Sequence, residues 1–292
     1  MNQMWIILSL ISAFSLATAD AFTKIALHNS DDYLVAMFRL LFSLPLLVIV
    51  LIFIPFPTVD SIFFTAISLS LPLEIFAFVF YIKALKLSPM SLTLPFLSLT
   101  PVFLIFVSFF ILGEVVSIQG GIGIIFIAAG SYVLNLHEVK KGILMPFKAI
   151  FKEKGCVFII ITAIIYSITS ALGKLAIQHS SALFFGSVYF ILFTAVFSFL
   201  VLVIKRKEIK EFVLQKNYKA LIFPGICQSF MVISHMIAIS IAKVAYMISL
   251  KRTSLLIGVI YGYFLFKEKH IKERLSGALL MFAGFVLIVT AK

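Results

Sequence analysis

Long apolar stretches recur along the whole chain of 292 residues, and short segments rich in polar and charged residues separate them. An α-helix needs about 20 apolar residues to cross the hydrocarbon core of a bilayer, and these stretches have that length. Open strands and irregular loops cannot face lipid, because unpaired backbone groups are costly there. The pattern therefore predicts an all-α integral membrane protein.

Ten stretches of this kind are present, and we expect each to form one transmembrane helix. They cover residues 4–27, 33–54, 60–83, 89–112, 118–136, 156–177, 182–204, 219–242, 245–266 and 271–291. The longest break, residues 137–155, is too short for a separate soluble domain. It mixes five lysines with isoleucine, leucine and phenylalanine, which predicts an interfacial helix on the bilayer surface.

A sequence repeat divides the chain into two halves. Residues 21–30 read AFTKIALHNS and residues 171–180 read ALGKLAIQHS. Further along, Glu114 aligns with Glu268, and the simplest interpretation of both is favourable placement of an acid near a helix N-terminus.

The predicted domain organisation follows from the repeat. A first five-helix repeat spans residues 1–136, a basic interfacial linker spans 137–155, and a second repeat spans 156–292. Because each half contains an odd number of helices, the second must be inverted relative to the first. Two inverted five-helix repeats are typical of secondary transporters, whose binding site lies where the halves meet.

The distribution of charge gives the two membrane faces different characters. Charged residues make up only 12% of the chain, against roughly 25% in soluble domains, and the net charge is +12. We call the face with the breaks after helices one, three, five, seven and nine the basic face, because it carries 17 cations. The opposite face, the termini face, has little beyond Lys243 and Lys292. The positive-inside rule places the basic face in the cytoplasm and both termini outside. The membrane surface explains the positive charge without nucleic acid.

Only two cysteines are present, Cys156 and Cys227, and neither belongs to a CxxC motif or a Cys/His cluster. A metal site or a redox cofactor therefore has no support, and we expect no cofactor.

Two pairs of polar residues inside the spans are the strongest candidates for a binding site. Glu74 and Tyr81 are seven residues apart and share one helix face, and the repeat aligns them with Gln228 and His235. We expect all four to line a common cavity. Glu74 would bind a proton or a substrate amine, although a structural hydrogen bond between helices would also account for it.

Further ionisable residues lie in the first, second and sixth spans. Asp20 and Arg39 reach similar depths, so a contact between them is expected, and Asp20 is a second candidate for proton coupling. Lys24 and its repeat partner Lys174 lie near span ends. They either extend to the headgroups or form the two rims of one pathway.

Lys251 and Arg252 lie well inside the ninth span. The sequence leaves two interpretations open, a clamp for a carboxylate or phosphate and structural pairing with Glu74 or Asp20. Adjacent residues point about 100° apart on a helix, so at most one of the two should face a cavity. The excess of cations at depth favours an anionic or zwitterionic substrate.

Prolines and glycines mark candidate breaks and packing faces. Pro72 and Pro224 lie near Glu74 and Gln228 in the two halves, so broken helices are expected there. Residues 258–262 form a GxxxG motif, which favours close packing within the monomer over dimerisation.

Four segments resemble a known family. Residues 99–114 read LTPVFLIFVSFFILGE and 121–130 read GIGIIFIAAG, while 254–268 read SLLIGVIYGYFLFKE and 277–285 read GALLMFAGF. They resemble the EamA family of the drug/metabolite transporter superfamily. In that family each half has a helix that closes on Gly-Glu, followed by a helix with a recurring glycine.

The resemblance implies a transporter rather than an enzyme. This chain departs from the family pattern at Lys267, which replaces the glycine before the second glutamate. Family members usually have both termini in the cytoplasm, whereas the loop charges here place them outside, so the two indications of orientation differ.

The leading hypothesis is therefore a multi-pass carrier of the cytoplasmic membrane that moves an amino acid or organic anion by alternating access. The expected partners are a small-molecule substrate, the lipid bilayer and protons as candidate coupling ions, with no nucleic acid, and the protein is expected to be a monomer or weak dimer. Multidrug cation efflux is the alternative, favoured by the aromatic content. A membrane enzyme or a lipid-handling scaffold is a more remote one.

Overall fold

The computed structural model describes residues 3–27, 30–87, 94–134, 154–266 and 275–291, and within these ranges the chain is helical without strands. The α-helices are α1 (Met4–Leu27), α2 (Asp32–Phe53), α3 (Ser61–Leu87), α4 (Thr100–Leu112), α5 (Ile118–Leu134), α6 (Lys154–Gln178), α7 (Ala182–Ile204), α8 (Arg206–Leu214), α9 (Ile222–Ile241), α10 (Val244–Lys251), α11 (Ser254–Phe266) and α12 (Leu275–Thr290). Short 3₁₀ segments, Leu94–Leu99 and Asn217–Leu221, precede α4 and α9.

Among the described residues, six helices are long and apolar enough to cross a membrane. Three shorter apolar helices accompany them, Phe96–Leu112, Ile118–Val133 and Ser276–Thr290. The prediction of an all-α, multi-pass membrane protein is confirmed, whereas the count of ten is not. The predicted interfacial linker, residues 137–155, falls almost entirely outside the described residues.

The ninth predicted span is not one helix, so this part of the prediction is wrong. α10 ends at Lys251 and α11 begins at Ser254. Between them the amide of Arg252 donates to the carbonyl of Ser249 over 3.0 Å and that of Thr253 to the carbonyl of Leu250 over 3.0 Å. This tight turn satisfies the backbone groups that a break would otherwise leave unpaired in the membrane.

The expected breaks at the two prolines do not occur. α3 continues through Pro72. Pro224 lies in the first turn of α9, where its missing amide costs no helical hydrogen bond. The interruption of a helix lies instead between α10 and α11, in a segment without proline.

Aligned glycines of the two halves pack α5 against α12. A Cβ atom on Gly123 would lie 2.8 Å from the carbonyl oxygen of Gly284, and one on Gly130 would lie 2.7 Å from that of Gly277. The backbones of the two helices therefore touch directly. Gly258 of the GxxxG motif, in contrast, has open space around it within the described structure, so it is not a packing contact of the monomer.

We expect Gly123→Ala to lower stability by about 1–3 kcal/mol, because backbone rather than a flexible side chain opposes the new methyl group. Thermal unfolding of the purified protein in detergent would measure the change. The matched control is Gly121→Ala, whose Cβ would meet nothing closer than 3.9 Å. Equal unfolding temperatures for the two variants would contradict this packing.

Contacts between helix ends define the two faces of the bundle. On the basic face, the start of α2 meets the end of α7 through Asp31 and Lys205, with 2.8 Å between carboxylate and ammonium. α8 lies beside them, and its Phe212 packs on Phe38 with ring centroids 5.1 Å apart. The ends of α4 and α6 meet the start of α10 on the termini face. The cavity described next lies between these two sets of contacts.

Candidate functional site

A cavity of about 670 Å³ lies inside the bundle, within the range of small-molecule sites. Its lining comes from α1, α2, α3, α6, α7 and α9, from the start of α4 and the 3₁₀ segment before it, and from α10, α11 and the turn between them. The structure brings together nine of the ten predicted site residues here, namely Asp20, Lys24, Arg39, Glu74, Tyr81, Gln228, His235, Lys251 and Arg252. Lys174 is the one that does not line the cavity.

Arg39 is the centre of a polar network that joins three helices. Its Nη1 donates to Asp20 Oδ1 over 2.7 Å and to Thr23 Oγ1 over 3.3 Å, and its Nη2 donates to Gln228 Oε1 over 2.6 Å. The contact expected between Asp20 and Arg39 is therefore present. The charge of Arg39 is already compensated by Asp20, so this arginine ties α1, α2 and α9 together.

Glu74 faces the cavity from α3. The hydroxyl of Thr169 on α6 and the ammonium of Lys251 are both close enough to interact electrostatically with its carboxyl group. The ion pairs of the described residues do not include Glu74. Glu74 is thus an acid without a described ion-pair partner at the edge of a cavity that can admit water.

Lys251 and Arg252 both line the cavity, contrary to the expectation that at most one would. Arg252 keeps α-helical torsions and its amide donates to the carbonyl of Ile248 over 3.2 Å, so the two long side chains reach the cavity from adjacent positions at the end of α10. Lys251 Nζ lies 3.2 Å from Met231 Sδ and 3.3 Å from His235 Nδ1, which are neutral partners when the imidazole is uncharged.

Among the described contacts, Arg252 has fewer hydrogen-bond partners than Lys251. Its Nη2 donates to Thr100 Oγ1 over 3.1 Å, and its Nε is buried without a hydrogen-bond partner. The ion pairs of the described residues include neither cation, so the direct pairing with Glu74 or Asp20 that the sequence left open is not formed there, although both acids act electrostatically on Lys251. Two cations whose described hydrogen-bond partners are neutral therefore face one cavity, as an anion site requires, and Glu74 and Asp20 line the same cavity.

An aromatic wall occupies the other side of the cavity. It consists of Phe185, Tyr189, Phe190 and Phe193 on α7, together with Phe78 on α3. Consecutive ring centroids lie 5.1 Å (Phe185–Tyr189), 5.9 Å (Tyr189–Phe190), 6.2 Å (Phe190–Phe193) and 5.5 Å (Phe193–Phe78) apart. Aromatic pairs at such distances stabilise one another, so the wall is a continuous surface.

A second polar cluster, which we call the latch, lies at the termini face. Lys174 Nζ donates to the Glu114 carboxylate and to the carbonyl of Ala242, and Glu114 Oε2 accepts from the amide of Val244 over 2.8 Å. The side chains of Lys174 and Glu114 are only 8% and 12% exposed. The latch therefore joins the ends of α4 and α6 to the start of α10.

The latch changes the interpretation of two residues. Lys174 neither reaches the headgroups nor lines the cavity, and Glu114 serves as its counterion rather than only as a favourable charge near a helix end. The sequence offered one signal, since Lys174 aligns with Lys24 and Glu114 with Glu268, but no pattern connected the lysines to the glutamates.

Other contacts cover the same face. Lys243 Nζ donates to the carbonyl of Val115 over 2.7 Å, and Tyr246 Oη accepts from the amide of Ser117 over 3.1 Å. The exposed pair of His179 and Asp60 has 2.7 Å between Nδ1 and Oδ2. The Phe63 amide, followed by the contact with His179, holds the pKa of Asp60 below its usual value.

The cavity extends instead toward the basic face, where Lys24, Leu27 and Asp32 line it. Among the described residues, the lining of the cavity therefore reaches toward the basic face, while contacts between helix ends lie at the termini face.

Comparisons with known proteins agree with this architecture. A solved crystal structure of a protein superposes with a TM-score of 0.77 at 13% sequence identity, covering 98% of this chain and 96% of that chain. This similarity shows the fold alone. No match is found among curated proteins. The sequence model of the EamA-like transporter family matches twice, over residues 3–136 and 153–290. The chain therefore belongs to the EamA-like transporter family.

Proposed function

We propose that the protein is a secondary carrier that moves a small polar metabolite, an amino acid or an organic anion, across the cytoplasmic membrane by alternating access. The observation that carries the proposal is the cavity, which contains two cations with neutral partners and is covered at the termini face by the latch. A site reached from one side and covered on the other is what a carrier needs in one of its two states.

We infer that the chain crosses the membrane ten times as two inverted halves, residues 1–136 and 156–292, joined by a basic interfacial linker. Two observations support this inference. The family match occurs twice, and the aligned residues Lys24 and Lys174 lie toward opposite ends of the bundle. With the basic face in the cytoplasm, the cavity would be open to the cytoplasm in this state.

Proton coupling is assigned to Glu74 rather than to Asp20. Asp20 forms an ion pair with Arg39, whereas the ion pairs of the described residues do not include Glu74. A carboxyl group in such surroundings can change its protonation when a substrate or water enters.

Proteoliposome exchange assays would test the proposal. Reconstituted protein should exchange labelled amino acids or organic anions, with a rate that depends on an imposed pH gradient. We expect Glu74→Gln to abolish that pH dependence, because glutamine cannot titrate. The control is Glu211→Gln, which removes an exposed carboxylate from α8 and should leave the pH profile unchanged. An unaltered pH profile in the Glu74 variant would rule out the assigned role.

Efflux of lipophilic cations is a second candidate, and the aromatic wall favours it. Lys251 and Arg252 oppose it, since they would repel a cation in the cavity. Dye exchange in the same proteoliposomes decides between the two candidates. If cationic dyes inhibit this exchange and carboxylates do not, cation efflux replaces the first proposal.

A further inference from the structure

We propose that the substrate is an amphipathic monocarboxylate whose carboxylate binds Arg252 and Lys251 and whose aromatic or branched apolar body lies on the aromatic wall. The inference rests on the carrier function proposed above and narrows its substrate class. It excludes phosphates, sugars and small dicarboxylates as preferred ligands.

The first argument concerns Arg252. A guanidinium group carries five N–H donors in a planar fork that matches a carboxylate. Here one nitrogen donates to Thr100, and the buried Nε has no partner. The side chain of Arg252 is partly exposed and lines the cavity, so a carboxylate there would bind the accessible part of its guanidinium group.

Lys251 supplies the second positive charge. Its neighbours at hydrogen-bonding distance, Met231 Sδ and His235 Nδ1, are weak or neutral acceptors. Glu74 and Asp20 act on Lys251 electrostatically, but the ion pairs of the described residues do not include it, and an ammonium group removed from water is stabilised by a directly bound anion. A ligand with a single negative charge placed between Lys251 and Arg252 would interact with both.

The second argument concerns the aromatic wall, which contains no ionised side chain. Phe78 and Phe190 are only partly buried where they line the cavity, while Phe185, Tyr189 and Phe193 are buried behind them. Covering an exposed aromatic face with an apolar group is favourable by about 25 cal/mol per Å². A second ligand charge placed here would lose its hydration without gaining a partner, which argues against dicarboxylates.

The two parts of the site are close together. Tyr166 on α6 lines the cavity together with Arg252 and Tyr189. Because the cations and the wall line one cavity, a compact ligand such as an α-amino acid or an α-keto acid would contact both. Glu74 lines the same cavity and would bind the ammonium group of an amino acid.

Equilibrium binding to the purified protein in detergent tests the inference with defined probes. L-phenylalanine and phenylpyruvate share the carboxylate and the ring but differ in the ammonium group. Phenethylamine lacks the carboxylate, and succinate and inorganic phosphate lack the apolar body. We expect at least one of the two aromatic carboxylates to bind, and phenethylamine, succinate and phosphate not to compete with it.

Two variants and one control locate the binding. Arg252→Gln should weaken aromatic carboxylate binding by about 10- to 100-fold, because it removes hydrogen bonds to a charged group. Phe190→Ala should weaken binding of the same probe, and size-exclusion chromatography should show that this variant remains folded. Arg206→Gln, an exposed position on α8, should leave affinity unchanged.

The outcomes are distinguishable from failure of the carrier proposal. Competition by phenethylamine as strong as that by the carboxylates, or stronger binding of succinate or phosphate, overturns the inferred substrate class on the wild-type protein alone. Binding of aromatic carboxylates without exchange in proteoliposomes would support the class and refute the carrier function. A preference for phenylalanine over phenylpyruvate would assign Glu74 to the ammonium group.

Discussion

Glu114→Gln is expected to open the cavity toward the termini face. The substitution removes the negative charge that the buried ammonium of Lys174 needs, and breaking a buried ion pair from one side costs about 3–5 kcal/mol. The substitution therefore destabilises the conformational state in which the latch is formed. A loss of about 3 kcal/mol changes the ratio of two states by more than 100-fold, so the carrier should favour the opposite state.

Site-directed thiol labelling in sealed vesicles would measure the change. Ser170 lines the cavity on α6, one turn before Lys174, and Ser170→Cys in a Cys156→Ala, Cys227→Ala background provides a single reactive thiol. With the latch intact, a membrane-impermeant reagent should reach this cysteine from the basic face only. With Glu114→Gln, labelling from the termini face should appear.

Asp60→Asn is the matched control for the latch. It breaks an ion pair on the same face, but the side chains of His179 and Asp60 are 29% and 51% exposed. Exposed pairs contribute about 0–1 kcal/mol, so labelling should not change. Equal labelling of the Glu114 variant and this control would show that the latch does not close the cavity.

Arg39→Met is expected to lower the thermal stability of the folded protein markedly. It leaves Asp20 without its counterion and the oxygen of the buried Gln228 without a donor, at a cost of about 1–3 kcal/mol for each unsatisfied group. The free-energy cost of leaving Asp20 unpaired lies at the low end of this range, because its side chain is 43% exposed in the cavity.

A double variant separates the charge from the packing of Arg39. Adding Asp20→Asn to Arg39→Met removes the unpaired carboxylate, so part of the lost unfolding temperature should return. Lys205→Met breaks the pair with Asp31 on the basic face, which joins only the ends of α2 and α7, whereas Arg39 ties three helices together, so a smaller loss is expected there. If the single and double variants unfold at the same temperature, the unpaired carboxylate of Asp20 does not contribute to the loss of stability.

Local regularities in the sequence predicted much of the candidate site. Glu74 and Tyr81 line the same cavity because residues seven apart share a helix face, and that relation needs no knowledge of other helices. Asp20 and Arg39 meet because neighbouring helices joined by a short break place residues of similar depth side by side. In both examples the relevant geometry lies within one helix or one helical hairpin.

Contacts between distant segments could not be predicted in this way. The latch joins Glu114 to Lys174 and to the backbone at Ala242 and Val244, which belong to helices far apart in sequence. The turn between α10 and α11 was also missed, because its residues are neither proline nor glycine. That turn directly follows Lys251 and includes Arg252, at the point where both residues line the cavity.

The sequence by itself determined that this protein is a multi-pass helical membrane protein of two related halves, and to which family it belongs. A bilayer accepts only long apolar helical segments, so the pattern of polar positions is decisive. The tertiary structure alone decided which charges form ion pairs: Arg39 and Lys174 pair with acids, and the ion pairs of the described residues do not include Lys251 or Arg252. The physical reason is that the energy of a charge in the membrane depends on neighbours contributed by other helices, and no single segment encodes them.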